Sequence, residues 1–74
     1  MTESENLELL KLGHRLRKYR QYKNYSQEKL AELSCLDRTY ISSLERGKRN
    51  PSFLILRILS EILCINPNQL FEDE

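Results

Sequence analysis

Hydrophobic residues along the chain fall into helical groups separated by short polar links. From Asn6 to Lys23, Leu9, Leu12, Leu16 and Tyr19 recur at intervals of three and four, the stripe of one long amphipathic helix. Glu3, Glu5 and Glu8 near its start, and Lys18, Arg20 and Lys23 near its end, suit the helix dipole. Thr2 and Glu5 have capping-box spacing, with Asn6 as a competing cap. Asn24, in the link that follows, is expected to be left-handed. Ser26 then caps a helix over Gln27 to Ser34, with Leu30, Ala31 and Leu33 inward and Glu28, Lys29 and Glu32 outward. Asp37 caps a third helix, Arg38 to Arg46, which buries Ile41 and Leu44 and is stopped by Gly47.

The downstream part is more apolar. Ser52 caps a helix from Phe53 to Leu63, and ten of residues 53 to 65 are apolar, so only Arg57, Ser60 and Glu61 interrupt, on one narrow stripe. A helix apolar nearly all round must be covered on more than one side. A chain of 74 residues holds little material to do that, which implies a second copy across a two-fold axis. The expected seam is Leu54, Ile58, Ile62, Ile65, Leu70 and Phe71, within a dimerisation region spanning 53–71. Asn66-Pro67-Asn68-Gln69 starts a short last helix, Pro67 to Phe71, with a cap, a proline at the first turn and a box glutamine. Leu70 and Phe71 are expected to complete both core and seam. Glu72-Asp73-Glu74 reads as a solvated acidic end.

The segment from Tyr25 to Asn50 sets the chemistry. Two short helices are joined by Ser34-Cys35-Leu36, a turn of about three residues, the spacing of a helix-turn-helix over residues 27–46. Once Ile41 and Leu44 are buried, the second of these helices offers Arg38, Thr39, Tyr40, Ser42, Ser43 and Arg46. That face carries hydrogen-bonding groups, a cation at each end and no acid, which suits the major groove of duplex DNA.

The string S-Q-x-x-L-A from Ser26, followed by Ile41, Leu44 and Glu45-Arg46-Gly47, resembles the Cro and phage-repressor (XRE-type) class of helix-turn-helix domains over roughly residues 9 to 71. The finer string Leu36-Asp37-Arg38-Thr39-Tyr40-Ile41-Ser42, with Arg49-Asn50 beyond it, is similar to the controller proteins of bacterial restriction–modification systems. The resemblance implies an all-α, five-helix, lambda-repressor-like domain filling residues 1–74. It implies DNA contact by Gln27, Arg38, Thr39, Tyr40, Ser42, Ser43, Arg46, Arg49 and Asn50. It also implies a structural ion pair between Arg20 and Glu45, which sets the angle of the motif on its scaffold. In the class the position of Cys35 is often glycine, so a cysteine there is expected to carry some left-handed strain.

Roles follow from donor and acceptor types. The fork of Arg38 matches guanine O6 and N7, Thr39 and Tyr40 suit a thymine methyl or a phosphate, and Ser42 and Ser43 demand close approach. Gln27, at a helix start beside free backbone N–H groups, suits a phosphate, and Lys48, Arg49 and Asn50 reach phosphate oxygens or a base edge from the following loop. Glu28 and Glu32 are candidates for a contact with RNA polymerase. The resemblance implies a sequence-specific transcriptional regulator, with a double-stranded, palindromic operator and a homodimer as its partners.

Charge adds to this picture. The net charge is only +1, but residues 11–49 carry eleven Lys and Arg against four acids, a balance of +7, and the rest carries −6. A local patch is what phosphates feel, because salt screens beyond about 8–10 Å. Cys35 and Cys64 match no metal spacing and are expected to be buried free thiols in a reducing compartment. No cofactor, metal or small-molecule ligand is expected. Without a leader-like or membrane-spanning segment, a cytoplasmic, nucleoid-associated bacterial protein is expected. Gly13 inside the first helix costs about 1 kcal/mol against alanine and is explained if another helix approaches closely. His14 is the one histidine and no nucleophile–base pairing is legible, so an enzyme is not expected. The competing readings are a phage-type repressor, an antitoxin, or a small helical module that binds protein. The last leaves Arg38-Thr39-Tyr40 beside a basic segment unexplained.

Overall fold

The structure, a computed structural model, describes residues 2–72. Four α-helices follow one another: α1 (Glu3–Tyr22), α2 (Gln27–Ser34), α3 (Arg38–Glu45) and α4 (Phe53–Leu63). A 3₁₀ turn, Pro67–Leu70, closes the described chain. The five-helix expectation is therefore corrected to four helices and a turn among the described residues. Asn66 and Gln69 do form the reciprocal capping box. Gln69 and Phe71 N–H each reach back three residues, to Asn66 O and Asn68 O, and a single four-residue bond, from Glu72 N–H to Asn68 O, follows, so no run of α-type bonds develops.

Helix starts follow the capping residues. Ser26 Oγ accepts from Lys29 N–H at 3.0 Å, and Ser52 Oγ accepts from Ile55 N–H at 3.2 Å. At α1 the cap is Thr2, whose hydroxyl accepts from Glu5 N–H, so the helix starts at Glu3 and Asn6 lies inside it. Asp37 occupies the cap position of α3 in extended conformation without a side-chain bond. Asn24, Cys35 and Cys64 are left-handed at φ 59, 58 and 58, and Gly47 at φ 73.

α1 packs on α3, α2 lies between α3 and α4, and the 3₁₀ turn bridges α1 and α4. The shared core is Leu9, Leu12, Leu16 and Tyr19 of α1, Leu30 and Ala31 of α2, Ile41 and Leu44 of α3, Leu56, Leu59 and Leu63 of α4, and Leu70. Burying a side chain the size of Leu59 stabilises by about 1.5–3 kcal/mol, so these residues define the scaffold. Leu70 is entirely inside the protomer and offers nothing to a seam, which corrects its place in the expected dimer interface. Gly13 meets the end of α3, as close approach requires.

Three burial expectations are reversed. Leu33 is 42% exposed, and Ser34 takes its place on the inner face of α2. Ser60, expected on the polar stripe of α4, is completely buried, while Arg57 and Glu61 face solvent and pair with each other. Both serines satisfy their own hydroxyls: Ser34 donates to Leu30 O and Ser60 to Leu56 O, each at 2.7 Å. A serine back-bonded to its own helix enters a core without an outside partner. Cys35 and Cys64 are free but exposed, because each is the left-handed residue just beyond its helix, where the chain turns outward. Glu72 is exposed, and Asp73 and Glu74 of the acidic end lie outside the described residues.

Candidate nucleic-acid interface

The turn between α2 and α3 is made by the backbone of Cys35. Its left-handed conformation closes α2, and Leu36 N–H then bonds to Ala31 O at 3.0 Å. Asp37 O accepts from Tyr40 and Ile41 N–H, starting α3 at once. Ile41 and Leu44 are buried toward the scaffold, so the opposite face of α3 is turned outward.

The angle of that face is held by a buried network. Arg20 Nε and Nη2 donate to Glu45 Oε2 and Oε1 at 2.6 and 3.0 Å, a bidentate pair with side chains 10% and 4% exposed. Arg20 Nη1 donates to Tyr25 O at 2.7 Å. Gln27 Nε2 donates to Glu45 Oε1 at 3.1 Å. The Glu45 carboxylate, the last residue of α3, therefore joins α1 and the first residue of α2, and Arg20 carries the connection on to the link before α2. A buried pair of this kind contributes little net stability, but losing one partner leaves a costly uncompensated charge.

The expected contact residues lie along the outward face and the loop after it. Arg38, Thr39 and Arg46 are exposed, while Tyr40, Ser42 and Ser43 are half-buried. Lys48, Arg49 and Asn50 are exposed on the loop. The Arg49 guanidinium lies 5.6 Å from the Tyr40 ring centroid, so loop and helix meet through a cation–π contact. Gln27 is half-buried, and its amide is partly committed to Glu45. Asn50 borders grooves shared with Glu5 and Glu8 of α1, an acidic setting that works against a phosphate contact there. Glu28 Oε1 lies 3.7 Å from Arg38 Nε, and Glu32 pairs with Lys29 at 3.6 Å. Both acids remain exposed. The links from Gln27 to Glu45, Glu28 to Arg38 and Arg49 to Tyr40 were not legible as pairs, since each joins residues from different elements or a helix and a loop.

Beyond the loop, α4 presents Phe53 and Leu54, each 65% exposed, with Ile58 and Ile62 half-buried along the same helix. Ile65 and Phe71 extend this apolar surface, half-buried and 47% exposed. Among the described residues no group of His, Cys, Asp and Glu could hold a metal ion, and no helix is long and apolar enough to cross a membrane.

This arrangement has counterparts in known proteins. A helix-turn-helix family model matches residues 16–70, most of the chain. The control protein C.MunI of Mycoplasma sp is 45% identical over 65 residues, covering 86% of this chain and 88% of its own. The crystal structure of the restriction-modification controller protein C.AhdI from Aeromonas hydrophila superposes with a TM-score of 0.84 at 48% identity, over 88% of this chain and 98% of its own. The controller protein C.Esp1396I, solved as a tetramer with its natural 35 base-pair operator, aligns at a TM-score of 0.75 and 38% identity, over 85% of this chain and 83% of its own. With the motif braced by Arg20 and Glu45 and its polar face turned outward, the chain belongs to the helix-turn-helix family of DNA-binding regulators, in the company of the restriction–modification controller proteins.

Proposed function

We propose that this protein is a restriction–modification controller that binds a roughly palindromic operator as a homodimer, with α3 in the major groove. The observation that carries the proposal is Arg38 and Thr39 standing exposed at the start of a helix whose other end is locked through Glu45. Arg38 reads guanine O6 and N7, and Thr39 and Tyr40 contact a thymine methyl or the adjoining phosphate. Ser42 and Ser43 make close contacts, Gln27, Arg46 and Arg49 place the protein on the backbone, and Asn50 reaches a base edge. The motif at 27–46 reads, and the region at 53–71 dimerises. Leu54, Ile58, Ile62, Ile65 and Phe71 form the seam, setting two recognition helices about 34 Å apart on one face of the duplex. Operator binding places the protein in the cytoplasm with the nucleoid. Support comes from the likeness to C.MunI and C.AhdI and from the operator complex of C.Esp1396I.

Selection of bound sequences from random duplex tests this reading. The expected consensus is two-fold symmetric with a guanine in each arm, and Arg38→Ala relaxes the preference at that guanine. An asymmetric consensus, or an equal loss on all sequences with Arg38→Ala, overturns the assignment.

A further inference from the structure

Arg38 is a cation in the first turn of a helix, where the dipole favours anions. Its own helix supplies only the carboxylate of Asp37 at the cap position, which makes no capping bond, and no acid in the first turn. A second carboxylate comes from the neighbouring helix. Glu28 lies in the first turn of α2, where an acid is favoured, and its Oε1 is 3.7 Å from Arg38 Nε. The left-handed Cys35 turn brings these two helix starts together.

Which nitrogen faces the carboxylate matters. A guanidinium reads guanine end-on through two nitrogens that approach O6 and N7 together. Glu28 lies nearest Nε, which leaves an end-on approach through the two Nη groups available. We infer that Glu28 is a specificity-determining positioning residue: its carboxylate holds the Nε edge of Arg38 and aims the terminal nitrogens at the base. This rests on the proposed reading of α3 as the recognition helix. Both side chains are half or more exposed, so the constraint is modest and acts on selectivity, not on folding.

The test measures dissociation constants of the wild type, Glu28→Gln, Arg38→Ala and the double variant. Each is titrated with the selected operator and with duplexes altered at one base pair per arm. Arg38→Ala lowers discrimination about tenfold or more at the base pair it reads. Glu28→Gln lowers it about two- to fivefold at that same base pair and at no other, the scale of an exposed ion pair. In the Arg38→Ala background, Glu28→Gln has no further effect on discrimination. If Glu28→Gln tightens binding to every duplex by one factor and leaves discrimination intact, Glu28 is only a repulsive charge near the phosphates and the inference fails alone. A loss of discrimination that persists in the Arg38→Ala background also overturns it. If Arg38→Ala weakens all duplexes equally, base reading by Arg38 fails and the inference fails with it.

Discussion

Gly13 and Leu44 meet so closely that a methyl group on Gly13 would stand 2.5 Å from Leu44 O, with Glu45 O at 2.6 Å. The obstacle is backbone on both sides, so no rotamer change relieves it. Gly13→Ala gains about 1 kcal/mol of helix propensity. We expect overpacking to outweigh that, for a net loss of about 1–2 kcal/mol in urea unfolding at fixed protein concentration. An unchanged or raised midpoint would mean that α1 and α3 separate freely.

The pair Arg20–Glu45 gives a second prediction. Arg20→Met leaves the Glu45 carboxylate buried without its cation, and costs about 3–5 kcal/mol. Combining it with Glu45→Leu restores most of the loss, since neither charge is then stranded. Denaturant titration of the single and double variants checks this. Additive losses would mean that the two side chains do not act as a unit.

Arg49 tests the reach of the interface. If it contacts a phosphate when DNA is bound, Arg49→Ala reduces the slope of log affinity against log salt by about 1. The wild-type guanidinium lies over the Tyr40 ring, so the same variant also releases that ring. An unchanged slope would confine Arg49 to holding Tyr40.

Leu54→Glu addresses the apolar face of α4. The position is 65% exposed in the protomer, so folding shifts by no more than about 0.5 kcal/mol. Sedimentation is expected to show a monomer, and operator affinity to fall toward that of a half-site. A dimer that survives the charge would move the seam elsewhere.

Much of the architecture is legible from capping residues and apolar periods. The span of α4 follows from Ser52 and the run it precedes, and the left-handed Asn24 and Gly47 follow from residue type. What escaped has a common cause. Polarity argues Ser60 outward, yet Ser60, like Ser34 on the inner face of α2, bonds a carbonyl one turn back and takes a core position. Leu33 then has no inner face left to occupy. The cysteines are expected to be buried, whereas both, as left-handed residues just past a helix end, are exposed. At the site, residue types pointed to Arg38 and its neighbours. The cross-helix partners of Gln27 and Arg38 depend on the turn geometry, which no single residue announces.

The grip on Glu45 from Arg20 on one side and Gln27 on the other has a wider result. Spreading the two helices of the motif apart would break the bond from Gln27 and uncover a charged carboxylate. If the two helices meet DNA as one piece, tolerance for imperfect operators comes from the duplex flexing toward the protein, or from the long outer side chains changing their reach. Discrimination among related sites then becomes partly a measure of how stiff each stretch of DNA is.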